Sequence, residues 1–569
     1  MLWDVRLPQQ VVLLALGTAL VGGTLFHAPR VWAGVAIGAL FAAAGALAAG
    51  LAEGHVPPSD RLAAAIVALA IVVGLLHALA ALELRRRSRV AAEHFGLLLT
   101  GVFGLMLAAT AEDLIVLALA CELVAVPGYL PAYLSARSPI PSATPRGADG
   151  VLLKLLLPGV VSSLFLWYGF ALLAGLAGTT DLGGIAEVLA RNYRASAETA
   201  MAAGGSLLGV LAAGMIFVGA GLRMAAAPFH LGLPDVFARI GFAEGGWLST
   251  GPRLVAWVVL ARICLFAMPG YESVCLSLAG VLAAVTLLGA GALAVAEPRL
   301  RPLLGYAGMA QGGLALAGLA AAFAQAQSAP PGASTGAGLP SGLQASLFHL
   351  IAFILMTGGL AALLTYFDRA QRPLEHVEDL AGWVRDEPVA GACTVLLLIG
   401  LAGLPVLPGF WGRLFLAGSL LAVEPEWLED WSAGFHPGLL VLAGAMIVGC
   451  VLLAAAYLRP AAALLFERPL GRPRPAGGRP ALAGGILAVL LSMGIGLFPG
   501  PLLAWLEDRP PASADRRSPA RVGPRSAPDD SSKRVDRDSP PPADEMRPVQ
   551  PLFLRAALFE IRRNCKNGG

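Results

Sequence analysis

Seven side chains hold the chemistry this sequence can do: Glu122, Lys154, Arg223, Arg253, Arg413, His230 and His349. Each lies in or at the edge of a long apolar run. Glu122 sits in DLIVLALACELVAVPGYL, where Asp113 is the nearest charged residue, about 13 Å away along a helix axis. A charge at such a position costs at least about 2.5–3.5 kcal/mol, so it is there for a reason. Two readings are open for Glu122: a structural carboxylate hydrogen-bonded within a bundle, or an acid that binds and releases protons unless a cation lies close.

Lys154, in GVLLKLLLPG, is the only lysine of the apolar region; the other two, Lys533 and Lys566, lie near the C-terminus. It is either a side chain snorkelling to an interface or a desolvated ammonium able to release its proton, which a guanidinium cannot do. Arg223, Arg253 and Arg413 each lie near a proline or a run's end, so snorkelling is open for them too. Otherwise they balance Glu122 and organise water, without carrying protons. His230 and His349 titrate in the physiological range, and either join a path or only hydrogen-bond their own segments. Acid, cations and imidazoles sunk in apolar sequence point to ion movement through a membrane.

The elements that must position these groups are membrane helices. The chain has 569 residues, 57% hydrophobic and 14% charged, against about 25% charged in a soluble domain. Runs of about 20 apolar residues recur, and strand-like alternation, the mark of an outer-membrane barrel, is not seen. We expect an all-α integral membrane protein of about fourteen spans, near 10–27, 31–53, 61–83, 95–111, 113–134, 151–177, 205–228, 243–267, 274–296, 302–325, 344–367, 388–422, 437–466 and 480–506. The first is read as a retained helix, because Asp4 as well as Arg6 precedes it. The twelfth is too long for one straight crossing and holds Pro405 and Pro408, so it should be broken. The six cysteines show no paired spacing and read as small core residues.

Arginines crowd the loops after odd-numbered spans, for example Arg85, Arg86, Arg87 and Arg89 after the third and Arg468, Arg472, Arg474 and Arg479 after the thirteenth. Positive loops stay inside, so both termini should lie outside. Two stretches, GLRMAAAPFH (221–230) and GLPVLPGFWGR (403–413), combine glycine, proline and an arginine in spans seven and twelve. Interrupted helices in corresponding positions point to inverted repeats with a site at the breaks. The expected divisions are a three-helix segment (1–94), two antiporter-like repeats (95–267 and 268–466), a final helix (467–506) and a tail (507–569). The tail is rich in Pro, Ser and charge and should be disordered, with a short amphipathic helix possible at its end.

At this point the residues resemble a family. EDLIVLALACELVAVPGYLPAY, GLRMAAAPFHLGLPDVF, LSTGPR, SLFHLIAFILMTGGLAALL and GLPVLPGFWGRLFLAGSLL are similar to motifs of the antiporter-like membrane subunits of bacterial NADH-quinone oxidoreductase, respiratory complex I, and among them to subunit N. The likeness spans roughly 94–460. It implies a proton path through two inverted five-helix repeats, with a glutamate on helix five, here Glu122, and lysines on helices six, seven, eight and twelve. Only Lys154 keeps the lysine; the other three positions hold Arg223, Arg253 and Arg413, and Gln311 stands where the family commonly has histidine. The resemblance also implies subunits of the K, M, L, A, J and H type as partners, a bacterial inner-membrane location, and NADH, FMN, iron–sulfur clusters and quinone elsewhere in the complex, with no cofactor or metal on this chain. Its sequence shows no nucleotide loop or iron–sulfur cysteine cluster. A subunit of a multi-subunit cation/proton antiporter, and a non-pumping structural paralogue, are the alternative readings.

Overall fold

A computed structural model describes residues 6–25, 28–54, 56, 60–85, 90–137, 146–198, 206–230, 232–328, 342–368, 374–421, 437–468 and 478–506. The chain divides into Met1–Leu506 and Glu507–Gly569. The expected disordered tail and its terminal helix lie outside the described residues.

The first unit is helical, as expected. In order run α1 (Leu7–Leu25), α2 (Pro29–Ala52), α3 (Arg61–Arg85), α4 (Ala91–Thr110), α5 (Leu114–Arg137), α6 (Arg146–Ala177), α7 (Leu182–Glu198), α8 (Leu207–Met224), α9 (Leu233–Phe237) and α10 (Phe242–Leu260). A π-helical turn (Ala261–Ala267) extends α10. Then come α11 (Glu272–Ala296), α12 (Leu300–Ser328), α13 (Gly342–Phe367), α14 (Trp383–Asp386), α15 (Pro388–Ala402), α16 (Pro408–Leu421), α17 (Pro437–Phe466), α18 (Gly478–Leu497) and α19 (Pro499–Leu506). Twelve of these helices are long and apolar enough to cross a membrane. The shorter apolar α1 and the α15–α16 pair occupy the first and twelfth expected positions.

Two spans stop where the sequence supplies a stop. α8 starts at Ser206, whose hydroxyl accepts from the Gly209 N–H at 3.3 Å, and satisfies one orphan donor of its first turn. It ends at Ala225 in the left-handed region, φ +53°, and Pro228 then bars its resumption. α15 starts on Pro388 and ends at Gly403, φ +87°, whose N–H returns to the carbonyls of Ile399 and Gly400. Pro405 and Pro408 follow, and α16 begins at the latter. Both expected breaks are therefore present. The last span differs from expectation: Pro499 divides 480–506 into α18 and α19.

Three helices lie outside the expected spans: the short α9 and α14 and the longer α7. α7 lies between the sixth and seventh spans. Leu182, Ile185 and Leu189 are buried on one side of it, while Glu187 and Arg191 pair at 2.8 Å on the exposed side. That apolar stripe follows helical spacing on a segment too polar to span. It packs on α6 and on the π-helical turn. At the centre, α12 packs on α11, α13, α16 and α17, and its core stretch is buried throughout, although it is the least apolar of the twelve long helices. On the outside, Leu153, Leu157, Val160, Leu164 and Trp167 of α6 form an exposed apolar stripe, a face suited to lipid or a neighbouring subunit.

Candidate functional site

Glu122 and Arg223 meet. Arg223 sits in the last turn of α8, where unpaired carbonyls favour a cation. One Nη reaches the Glu122 carboxylate at 2.7 Å and the Ser163 hydroxyl at 3.0 Å; the other reaches the Cys121 carbonyl at 2.8 Å. Ser163 in turn donates to the same Glu122 oxygen at 2.6 Å. Helices α5, α6 and α8 are thus tied at one point. The guanidinium side is nearly sealed, at 4% exposure, whereas Glu122 keeps 32%. The carboxylate is the accessible partner of the pair.

Lys154 pairs with Asp235 of α9, and both side chains are about half exposed. Gly232, φ +87°, turns the chain just before α9, a conformation that favours glycine, and packs beside the Lys154 stem. Lys154, Arg223 and Arg253 line one cavity of about 70 Å³, closed by Tyr129, Phe229 and Pro252. Its walls are largely apolar apart from the three cations and Tyr129, and it is large enough for water to reach those groups. The three cations approach a shared chamber from α6, α8 and α10.

Arg253 is 1% exposed. One Nη donates to the carbonyls of Ser249 and Leu248 on its own helix. Its Nε and other Nη have no protein partner, and among the described residues it forms no ion pair. Its side chain lies against Gly308 and Gly312 of α12, at ordinary contact distance from where a Cβ would stand at either. Tyr457 of α17 lies within electrostatic reach of both Arg253 and Arg413. Arg413 of α16 donates to the carbonyls of Ala402 and Leu401, the exposed end of α15. Beside it, the His349 Nε2 lies 3.3 Å from the Gln311 carbonyl, and the Nδ1 is buried without a partner. Gln311 donates its amide to the Leu401 carbonyl at 3.2 Å.

The row Glu122, Arg223, Arg253, Tyr457, His349 and Arg413 therefore runs from one helix break to the other, with Lys154 on the flank of the first chamber. His230 stands apart in the turn between α8 and α9. Its Nδ1 is buried without a partner, and partial burial pushes its pKa down. Sequence reasoning did not single out Ser163, Asp235 or Tyr457. A serine four residues after Gly159 gives no signal alone, and Asp235 reads as a loop charge until α9 folds back on α6.

Arg223→Lys separates charge from fixed geometry. A lysine retains the attraction for Glu122 but loses the fork that also holds Cys121 and Ser163. We expect a stability loss of about 1–3 kcal/mol, from two hydrogen bonds at roughly 0.5–1.5 kcal/mol each, with proton conduction kept or raised. Thermal melting and vesicle proton uptake measure the two. Failure to assemble would show that the arginine fork is a structural clamp.

The family model described as NADH:quinone oxidoreductase/Mrp antiporter, TM matches residues 111–435, more than half of the chain. NADH-quinone oxidoreductase subunit N 3 of Streptomyces griseus is 30% identical over 56% of this chain, a stretch that spans about half, 54%, of that relative. NADH-quinone oxidoreductase subunit N of Desulfovibrio desulfuricans is 28% identical over 88% of this chain and 95% of its own length. Among solved structures, respiratory complex I from Thermus thermophilus has a chain that superposes with TM-score 0.66 at 24% identity, covering 88% of this chain and 99% of that one. The Mrp complex from Dietzia sp. gives 0.70 at 17% identity, over 88% and 96%. These two likenesses are of fold. With the matched segment running from the start of α5 to beyond α16, and so enclosing every charged group of the row, the chain belongs to the NADH:quinone oxidoreductase/Mrp antiporter family of membrane subunits.

Proposed function

We propose that this chain is a subunit-N-type membrane subunit of a proton-translocating NADH-quinone oxidoreductase, supplying one proton path. The observation that carries the site reading is the Glu122–Arg223 pair at a helix break, 2.7 Å long, beside a chamber that Lys154 and Arg253 also line. In this reading Glu122 is the gate. While Arg223 holds it, the carboxylate is ionised; a proton arriving through the chamber neutralises it and frees the guanidinium. Lys154, paired with Asp235, exchanges the proton. Arg253 and Arg413 keep their charge and set the field along the row, with water carrying the proton past them. His230 and His349 serve in second rank.

Hydride and electron chemistry, with NADH, FMN, iron–sulfur clusters and quinone, falls to other subunits, and we assign K, M, L, A, J and H type subunits as neighbours. Among the described residues no group of three His, Cys, Asp or Glu side chains is placed to hold a metal. We infer a bacterial inner-membrane location with both termini outside, from the excess of arginine in the loops after odd-numbered spans. The segments 1–94, 95–267, 268–466 and 467–506 would be the entry helices, the two repeats and the closing helix.

Glu122→Gln tests this in vesicles holding the whole complex. The substitution keeps shape and removes the titrating charge. Proton uptake per NADH oxidised should fall, with assembly intact. Unchanged uptake would reduce the row to a structural feature.

A further inference from the structure

A second polar cluster lies away from Glu122, at the bundle end where α3 and α5 finish and α10 begins. Arg85, the last residue of α3, pairs with Glu244 of α10 at 2.7 Å; the side chains are 15% and 3% exposed. Ser135 of α5 donates to the other Glu244 oxygen at 3.3 Å. One layer deeper, His77 of α3 and His94 of α4 stack with centroids 5.6 Å apart and planes at 22°. The His77 Nδ1 lies 3.0 Å from the Ala243 carbonyl; a donor there leaves Nε2 of the neutral ring as an acceptor.

Between these groups is a cavity of about 10 Å³, lined by His77, His94, Pro127, Pro131, Glu244 and Trp247. Its walls carry unmet hydrogen-bonding capacity. The His94 Nε2 and the Trp247 Nε1 are buried with no protein partner. Pro127 and Pro131 both lie inside α5, and Pro131 has no N–H to return to the Pro127 carbonyl. A space near the volume of one water probe with two to four polar partners is where a protein keeps a structural water.

This cavity is the first of three in file. The second, about 10 Å³, shares His77 and Trp247 with it and adds Thr250, Gly246 and Ala361. The third, about 30 Å³, shares Gly246 and Ala361 with the second and reaches Ser249 and Tyr457. Ser249 is the residue whose carbonyl holds Arg253. The charged and titratable groups facing this line are Arg85, Glu244, the two histidines, Tyr457 and Arg301, the last paired with Asp368 at 2.6 Å.

We propose that the His77–His94 pair and the water-sized cavities beside it form a second proton inlet, leading from the arginine-rich face past Glu244 to the central chamber at Arg253 without passing Glu122 or Lys154. A proton taken up at His94 from water moves through the cavity water to His77. Glu244 offsets the charge of the imidazolium formed at either ring. The proton then leaves through the second and third cavities, and each histidine returns to its neutral form.

The inference rests on the proton-path reading above, and the test separates the two. Three forms of the complex are compared in vesicles for proton uptake per NADH oxidised: E122Q, the double variant His77→Gln/His94→Gln, and Trp247→Phe, which removes the N–H and leaves a smaller aromatic ring. Subunit content and NADH-quinone reductase rate report assembly. We expect the double variant to lose uptake within about twofold of the loss in E122Q, and Trp247→Phe to lose a smaller part, with the reductase rate kept. If E122Q loses uptake while the double variant and Trp247→Phe do not, the inlet is overturned and the main path stands. If E122Q and the others are all unchanged, the proton-path reading itself falls. Should the double variant fail to assemble, Trp247→Phe decides alone, and wild-type uptake in it overturns the inlet.

Discussion

Replacing Arg85 with alanine should cost about 3–5 kcal/mol of stability, because it strands the Glu244 carboxylate in the interior. Glu244 is 3% exposed, and its remaining protein contact is the Ser135 hydroxyl at 3.3 Å. A single hydrogen bond to a charged group is worth about 1.5–3 kcal/mol and does not offset a buried charge. Thermal unfolding of the purified complex would measure the loss. The Arg85→Ala/Glu244→Gln double variant should recover most of it, since the uncompensated charge is then gone. A single-variant loss below about 1 kcal/mol, the range of an exposed pair, would mean that solvent reaches Glu244.

The second large effect is expected at Gly403. Its φ of +87° ends α15, and an L side chain there costs roughly 1–2 kcal/mol. A Cβ would also stand 2.2 Å from the Arg413 Nη1, so the guanidinium would have to leave the Leu401 and Ala402 carbonyls. Overpacking of that kind adds about 1–3 kcal/mol. Gly403→Ala should therefore lose about 2–5 kcal/mol by thermal melting, and proton uptake should fall with it. Gly494, in the last turn of α18 with open space at its Cβ position, is the control: alanine there should be neutral or stabilising by up to about 1 kcal/mol. Equal effects at the two positions would mean that Arg413 is not held by the break.

Much of this was legible in the sequence, for physical reasons. Lipid imposes length and apolarity on every span, so hydropathy places helices well. The breaks at 225–228 and 403–408 announced themselves because Pro and Gly act on backbone alone. Family motifs nominated Glu122 and the cation positions. Contacts that depend on two distant elements meeting were not legible. Asp235 becomes the partner of Lys154 only once α9 turns back on α6, and Glu244 becomes a buried acid only because α3 delivers Arg85 to it. The stacked histidines were hidden similarly: His77 and His94 lie 17 residues apart, on two helices that a short loop folds side by side. The amphipathic α7 was passed over because a search for spans discards segments too polar to cross.

The covered position of α12 bears on how the chain is made. A helix enters a bilayer on its own when its side chains prefer hydrocarbon to water, yet this one is the least apolar of the long helices and has no surface left for acyl chains. Its stability must come from α11, α13, α16 and α17 around it, two of which are synthesised much later. During biogenesis it therefore waits, sheltered by the insertion machinery or by α11, until the C-terminal third emerges to enclose it. Truncation after α13 should leave a nascent chain that membrane quality control removes, however sound its other ten crossings are.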